Sequence, residues 1–133
     1  MNNLIFSSIN KKMFFLLMLA FYGVLSAQVC IAYTGQPMVA GSTYCINGGY
    51  STASGISIPE GATLIVQSGQ LQASGIQVMG SLEIGDGASV KSNGSITIGV
   101  YGSNKDSRVK LGTKAFLSLT GSVIQGDPSS GGF

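Results

Sequence analysis

Apolar and polar residues alternate in short runs that recur about every twenty residues between Ser54 and Leu119. Ile56-Ser57-Ile58, Ile76-Gln77-Val78 and Ile96-Thr97-Ile98 follow one another at steps of 20 and 20, and Leu117-Ser118-Leu119 reads as a fourth copy one residue late. A second register joins Leu64-Ile65-Val66 to Leu82-Glu83-Ile84. A third joins Leu71-Gln72-Ala73, Val90-Lys91-Ser92 and Val109-Lys110-Leu111 at steps of 19 and 19. Successive side chains of a strand point to opposite faces, so the period of two puts Ile56 and Ile58 on one side and Ser57 on the other. Three short strands per repeat, separated by Gly, Ser, Asn and Asp, predict one coil of a parallel β-solenoid. No coil buries its apolar row alone, and stacking the next one pairs the backbones and closes a core. The expected inward rows are Ile56, Ile76, Ile96, Leu117 and, beside them, Ile58, Val78, Ile98, Leu119. The expected outward row is Ser57, Gln77, Thr97 and Ser118, all polar and uncharged.

Other architectures of this period do not fit. No coil carries the run of leucines ending in Asn of a leucine-rich repeat, and Gly85-Asp86-Gly87 occurs once where a calcium-binding nonapeptide repeat needs recurrence.

The N-terminus has a different character. Lys11 and Lys12 precede a thirteen-residue apolar run, Met13 to Leu25, and small residues Ser26 and Ala27 follow. That order describes a secretory signal peptide over residues 1–27, and the run is shorter than the roughly twenty residues that span a bilayer. The mature chain is expected to be secreted or at the cell surface, with no transmembrane segment after cleavage. Val29 stands where a lipoprotein signal wants Gly or Ala, which argues against lipidation at Cys30. Seven basic and five acidic residues give a formal charge of +2. Lys11 and Lys12 leave with the signal, so residues 28–133 carry five of each. Lys105, Arg108, Lys110 and Lys114 cluster around Asp106, but without the added charge and interleaved aromatics of a nucleic-acid surface.

Cys30 and Cys45 are the only cysteines. In a secreted chain two cysteines have one intramolecular pairing, and a Cys30–Cys45 disulfide is expected within an N-terminal cap spanning 28–53. Residues 54–125 form the repeats, and 126–133 a flexible, Gly- and Ser-rich tail. The third coil is interrupted between Val100 and Ser107, which either replaces its second strand or extends the turn after it. Insertions in repeat proteins map to loops, and loops often carry binding, which singles out Tyr101 and Asn104.

Catalytic chemistry finds little material. There is no histidine, hence no common triad, and the acids number five: Glu60, Glu83, Asp86, Asp106 and Asp127. Glu83 and Asp86, three apart, are the nearest to a glycosidase-like carboxylate pair. Lys91 and Lys110, read as stacked beside Gln72, have no acid cluster of the kind a calcium-dependent lyase uses. No catalytic residue, metal ligand or cofactor is assigned. Asn93-Gly94-Ser95 fits both a glycosylation acceptor and a tight turn.

Ile58-Pro59-Glu60-Gly61-Ala62-Thr63-Leu64-Ile65-Val66, followed by Gly69-Gln70-Leu71, resembles the coils of secreted bacterial right-handed parallel β-helix proteins. This is the pectin-lyase-like architecture, found also in surface adhesins. The resemblance covers residues 54–125 and implies an all-β, short right-handed parallel β-helix (β-solenoid) of three to four coils. Such proteins include polysaccharide lyases, glycoside hydrolases and adhesion stalks, so fold alone does not choose among them. The acid inventory favours a non-catalytic structural, adhesive or glycan-contacting module over a carbohydrate-active enzyme or a truncated remnant of one. The binding candidates are Ser57, Gln77, Thr97, Tyr101 and Asn104. The expected partners are an extracellular polysaccharide or a cell-surface component, with edge-to-edge self-association and no nucleic acid. The exported protein is expected to begin at Gln28. N-terminal sequencing of secreted material checks this, and retention of residues 1–27 contradicts it.

Overall fold

The structure, a computed structural model, describes residues 29–99 and 106–125. The expected signal peptide, Tyr101, Asn104 and the tail lie outside the described residues.

Every regular element described is a β-strand, and each is short. In chain order they are β1 (Ile31–Ala32), β2 (Thr43–Ile46), β3 (Tyr50–Ser51) and β4 (Ile56–Ile58). Then come β5 (Thr63–Val66), β6 (Gln70–Ala73), β7 (Ile76–Val78), β8 (Ser81–Ile84) and β9 (Ser89–Ser92). Last are β10 (Ile96–Ile98), β11 (Arg108–Leu111), β12 (Phe116–Leu119) and β13 (Val123–Gln125). They form three sheets, ordered β1-β2-β5-β8-β11, β3-β6-β9-β12 and β4-β7-β10-β13, with every pairing parallel. From β2 onward the chain visits the three sheets in strict rotation, completing four circuits. The stretch around the second cysteine therefore already carries strands of the repeat, since β2 pairs with β5 and β3 with β6.

Apolar alternation builds the core. Ile56 and Ile58 are buried around exposed Ser57, and Ile76 and Val78 around exposed Gln77. In the first sheet Leu64 lies against Leu82 and Val66 against Ile84, all four buried. Full burial of each such side chain contributes roughly 1.5–3 kcal/mol. Ser92 occupies an inward position and is wholly buried; its hydroxyl donates to the carbonyl of Gly94 at 3.1 Å. No buried side-chain polar atom among the described residues lacks a partner.

The registers of the last circuit differ from those expected. Ser57 and Gln77 sit 20 residues apart, but beyond β10 the step grows to 27, as between Ser81 and Arg108, Asp86 and Thr113, and Ser95 and Ser122. The added residues fall between β10 and β11, and the described strands that follow, β11, β12 and β13, return to the first, second and third sheets in turn. Every later strand shifts accordingly. Leu117 and Leu119 lie against Val90 and Ser92 in the second sheet, and Ser118 against Lys91. The true fourth copy of the Ile56 strand is β13, with Val123 on Ile96 and Ile124 on Thr97. Val109-Lys110-Leu111 belongs to the first sheet, which places Lys110 across from Glu83 and apart from Lys91.

The N-terminal end of the described chain is tied down by the Cys30–Cys45 disulfide, with Cα atoms 5.7 Å apart and a sequence separation of 15. A loop of that size contributes about 3 kcal/mol in the chain-entropy account. Tyr33 packs edge-on against Tyr44 and Tyr50, with ring centres 6.4 Å and 5.2 Å away. Burial pushes the Tyr33 phenol above its ordinary pKa, and Tyr50 adds in the same direction.

Stacked turns leave unequal room at their corners. Gly69 (φ +74°) and Gly87 (φ +71°) share a left-handed backbone that costs an L-residue about 1–2 kcal/mol. A methyl at Gly69 would stand 2.6 Å from the Gly48 carbonyl carbon, whereas one at Gly87 would meet nothing within 4 Å. Lys114 already adopts φ 57° in the turn stacked on that of Gly87. Gly87→Ala should therefore lose only about 1 kcal/mol in denaturant unfolding. Gly69→Ala adds a backbone clash and should lose roughly 3 kcal/mol or more. Equal losses would contradict the stacking of the Gly48 and Gly69 turns.

Candidate functional site

Three surface regions gather the polar side chains. The first is the outward face of the third sheet. Ser57, Gln77 and Thr97 stand in register on β4, β7 and β10, as the alternation predicts. Ser57 Oγ donates to Gln77 Oε1 at 3.5 Å. Gly55, Gly75 and Ser95 precede these strands and leave a shallow depression of about 350 Å³ along the row. The row carries no charge and ends on the exposed aliphatic Ile124, where Ser118 was expected. Hydroxyl and amide groups at the spacing of parallel strands offer donors and acceptors on a rigid, flat surface.

The second region is a groove of about 410 Å³ at the start of the first sheet. Thr63, Ser81 and Arg108 are in register there, and Glu60 and Asp106 also line it. Arg108 Nε donates to Ser81 Oγ at 3.2 Å, which satisfies a hydroxyl that is nearly buried. Ser107 Oγ donates to the Met79 carbonyl at 2.8 Å and fastens the chain at the entry to β11. Sequence reasoning placed Arg108 and Asp106 in a solvated basic cluster and missed this groove. The signal was present as three polar residues opening successive strands, but it is visible only when the step of 27 is known.

The third region holds Glu83 and Asp86. Glu83 lies across from Lys110, with opposite charges on neighbouring strands. Asp86 Oδ1 accepts the Thr113 amide N–H at 2.8 Å and so holds the following circuit's turn in place. This geometry gives Asp86 a structural partner and Glu83 a cationic neighbour. The depression between them measures about 200 Å³. Among the described residues no group of three or more His, Cys, Asp or Glu converges as a metal site, and no helix is long and apolar enough to cross a membrane.

No family model matches the chain, and neither a curated protein nor a solved structure matches it. The pectin-lyase-like resemblance thus rests on the residues quoted for it, and the functional reading on the surfaces just described.

Proposed function

We propose that this chain is a short right-handed parallel β-solenoid, exported to the cell exterior, that serves as a non-catalytic structural or adhesive module contacting glycans. The observation that carries the reading is the uncharged, in-register row Ser57–Gln77–Thr97 over a shallow depression. Sugar hydroxyls both donate and accept, and a row of hydroxyl and amide groups meets them without the cost of burying an unpaired charge. Parallel strands fix the row's backbone spacing, so the main chain need not reorder on contact. The disulfide suits an oxidising compartment, in keeping with export.

A second reading, a carbohydrate-active enzyme, draws on the groove. Glu60 and Asp106 line it together with Arg108, and a pair of carboxyl groups is the usual equipment for cleaving a glycosidic bond. Proton transfer by a positioned acid or base contributes on the order of 10²–10⁴-fold, so activity from this pair would vanish on removal of either.

One set of variants separates the two. Purified protein is passed over insoluble xylan, cellulose and calcium-gelled polygalacturonate, and retention and soluble sugar release are measured. The expected result is weak retention on at least one polymer with no sugar release. Gln77→Ala should weaken that retention about fivefold, the worth of one hydrogen bond of about 1 kcal/mol. No retention on any polymer would contradict the glycan-contacting role. Sugar release abolished by Glu60→Gln or Asp106→Asn would establish the enzyme.

A further inference from the structure

Apolar exposure is confined to the two ends of the stack. Among the described residues, the exposed large hydrophobic side chains at the N-terminal end are Val29, Ile31 and Val39. At the C-terminal end they are Leu111, Phe116, Val123 and Ile124. The described residues of the two middle circuits expose none. Ile31 lies across from Tyr44 and Leu111 across from Ile84, so both belong to inward rows of the first sheet. They are nevertheless 48% and 54% exposed, because among the described residues no further circuit covers them. The main chain repeats the pattern: β1 and β11 are the edges of the first sheet, β3 and β12 of the second, β4 and β13 of the third. An open edge beside apolar side chains is a ready surface for another strand.

Charge distinguishes which ends meet. Residues 29–53 contain no Asp, Glu, Lys or Arg. Among the described residues the last circuit exposes Arg108, Lys110 and Lys114 and one acid, Asp106. Two C-terminal ends face to face would set cations against cations and leave both N-terminal ends bare. An uncharged N-terminal face against a cationic edge meets no such repulsion, and it covers both apolar patches at once.

We propose that a second copy of this chain docks head to tail. The N-terminal face around Ile31 and Val39 of one copy covers the C-terminal edge around Leu111 and Val123 of the next, with β1 laid parallel to β11. The two surfaces differ, so the contact is heterologous and each added copy offers a fresh open end. Such contacts grow into filaments unless the rotation between copies closes a ring. This inference goes beyond the glycan reading and does not depend on it.

Sedimentation of the purified chain over a concentration series tests it, together with Val39→Lys and Leu111→Lys. Both side chains are more than half exposed, at 62% and 54%, so each variant should keep its β-sheet circular dichroism. Should Leu111→Lys lose it, Ile124→Lys takes its place. The wild type should form a concentration-dependent ladder of oligomers. Each variant alone should be monomeric, because each has one blocked end. Mixed, they should give a one-to-one dimer and nothing larger, since the open C-terminal end of one fits the open N-terminal face of the other. Association that survives Val39→Lys but not Leu111→Lys would mean that two C-terminal ends meet, and would overturn the head-to-tail arrangement. A wild type that stays monomeric throughout, or associates only once residues 126–133 are removed, would overturn it as well, the tail being the occupant in the latter case.

Discussion

Hydrogen bonds between the main chains of successive circuits hold each residue opposite a fixed partner, and the in-out alternation of side chains has to stay in phase across all of them. Ile76 sits between Ile56 and Ile96, and Gln77 between Ser57 and Thr97, with no freedom to drift. A slip of one residue would turn Ile76 and Val78 to solvent and drive Gln77 into the core. Each apolar side chain so exposed forfeits roughly 1.5–3 kcal/mol, against a total stability for such domains of about 5–15 kcal/mol. A few misplaced side chains would exhaust it. The backbone ladder thus dictates the sequence pattern, and the pattern in turn selects one register.

The same constraint explains why the seven-residue longer step after β10 is tolerated, 27 in place of 20. It leaves the ladder intact, because β11, β12 and β13 all return to the registers of the circuit before. Lengthening a surface loop costs only slowly growing entropy, about 0.6 kcal/mol per doubling. Its structural consequence is local: Ser107 and Arg108 are pinned to Met79 and Ser81, and the groove beside Glu60 takes its shape from that return. The ends of the stack are where the constraint goes unmet. The disulfide and the Tyr33–Tyr44–Tyr50 cluster cover part of one end, while the last circuit carries inward Leu111 and Val123 half exposed.

Much of this was legible in the residues themselves. The rows through Ile56, Ile76 and Ile96, and through Leu64 and Leu82, follow from period two and a step near twenty, and the structure bears them out. The cysteine pairing followed from the count of two, and the structure pairs them. What failed was the fourth circuit, where Leu117-Ser118-Leu119 imitates Ile96-Thr97-Ile98 one residue out of step. Local pattern cannot tell a shifted copy of one strand from a true copy of the next, because all three strands of a circuit share the same alternation. Only the backbone pairing separates them. The early start of the circuits at β2 was hidden in the same way, since Thr43-Tyr44-Cys45-Ile46 presents an aromatic where later circuits carry Leu64 and Leu82, and a disulfide cysteine where they carry Ile65 and Glu83. The polar row at Ser57 was readable because its neighbours repeat at a constant step, and the groove was not because Arg108 lies 27 residues beyond Ser81.

The central claim is the register of the last circuit, and inter-strand nuclear Overhauser contacts measure it directly. In labelled protein the backbone protons of Thr97 should show contacts both to Gln77 and, across 27 residues, to Ile124, with Ser118 in contact with Lys91 instead. Contacts from Thr97 to Ser118, with none to Ile124, would contradict the account.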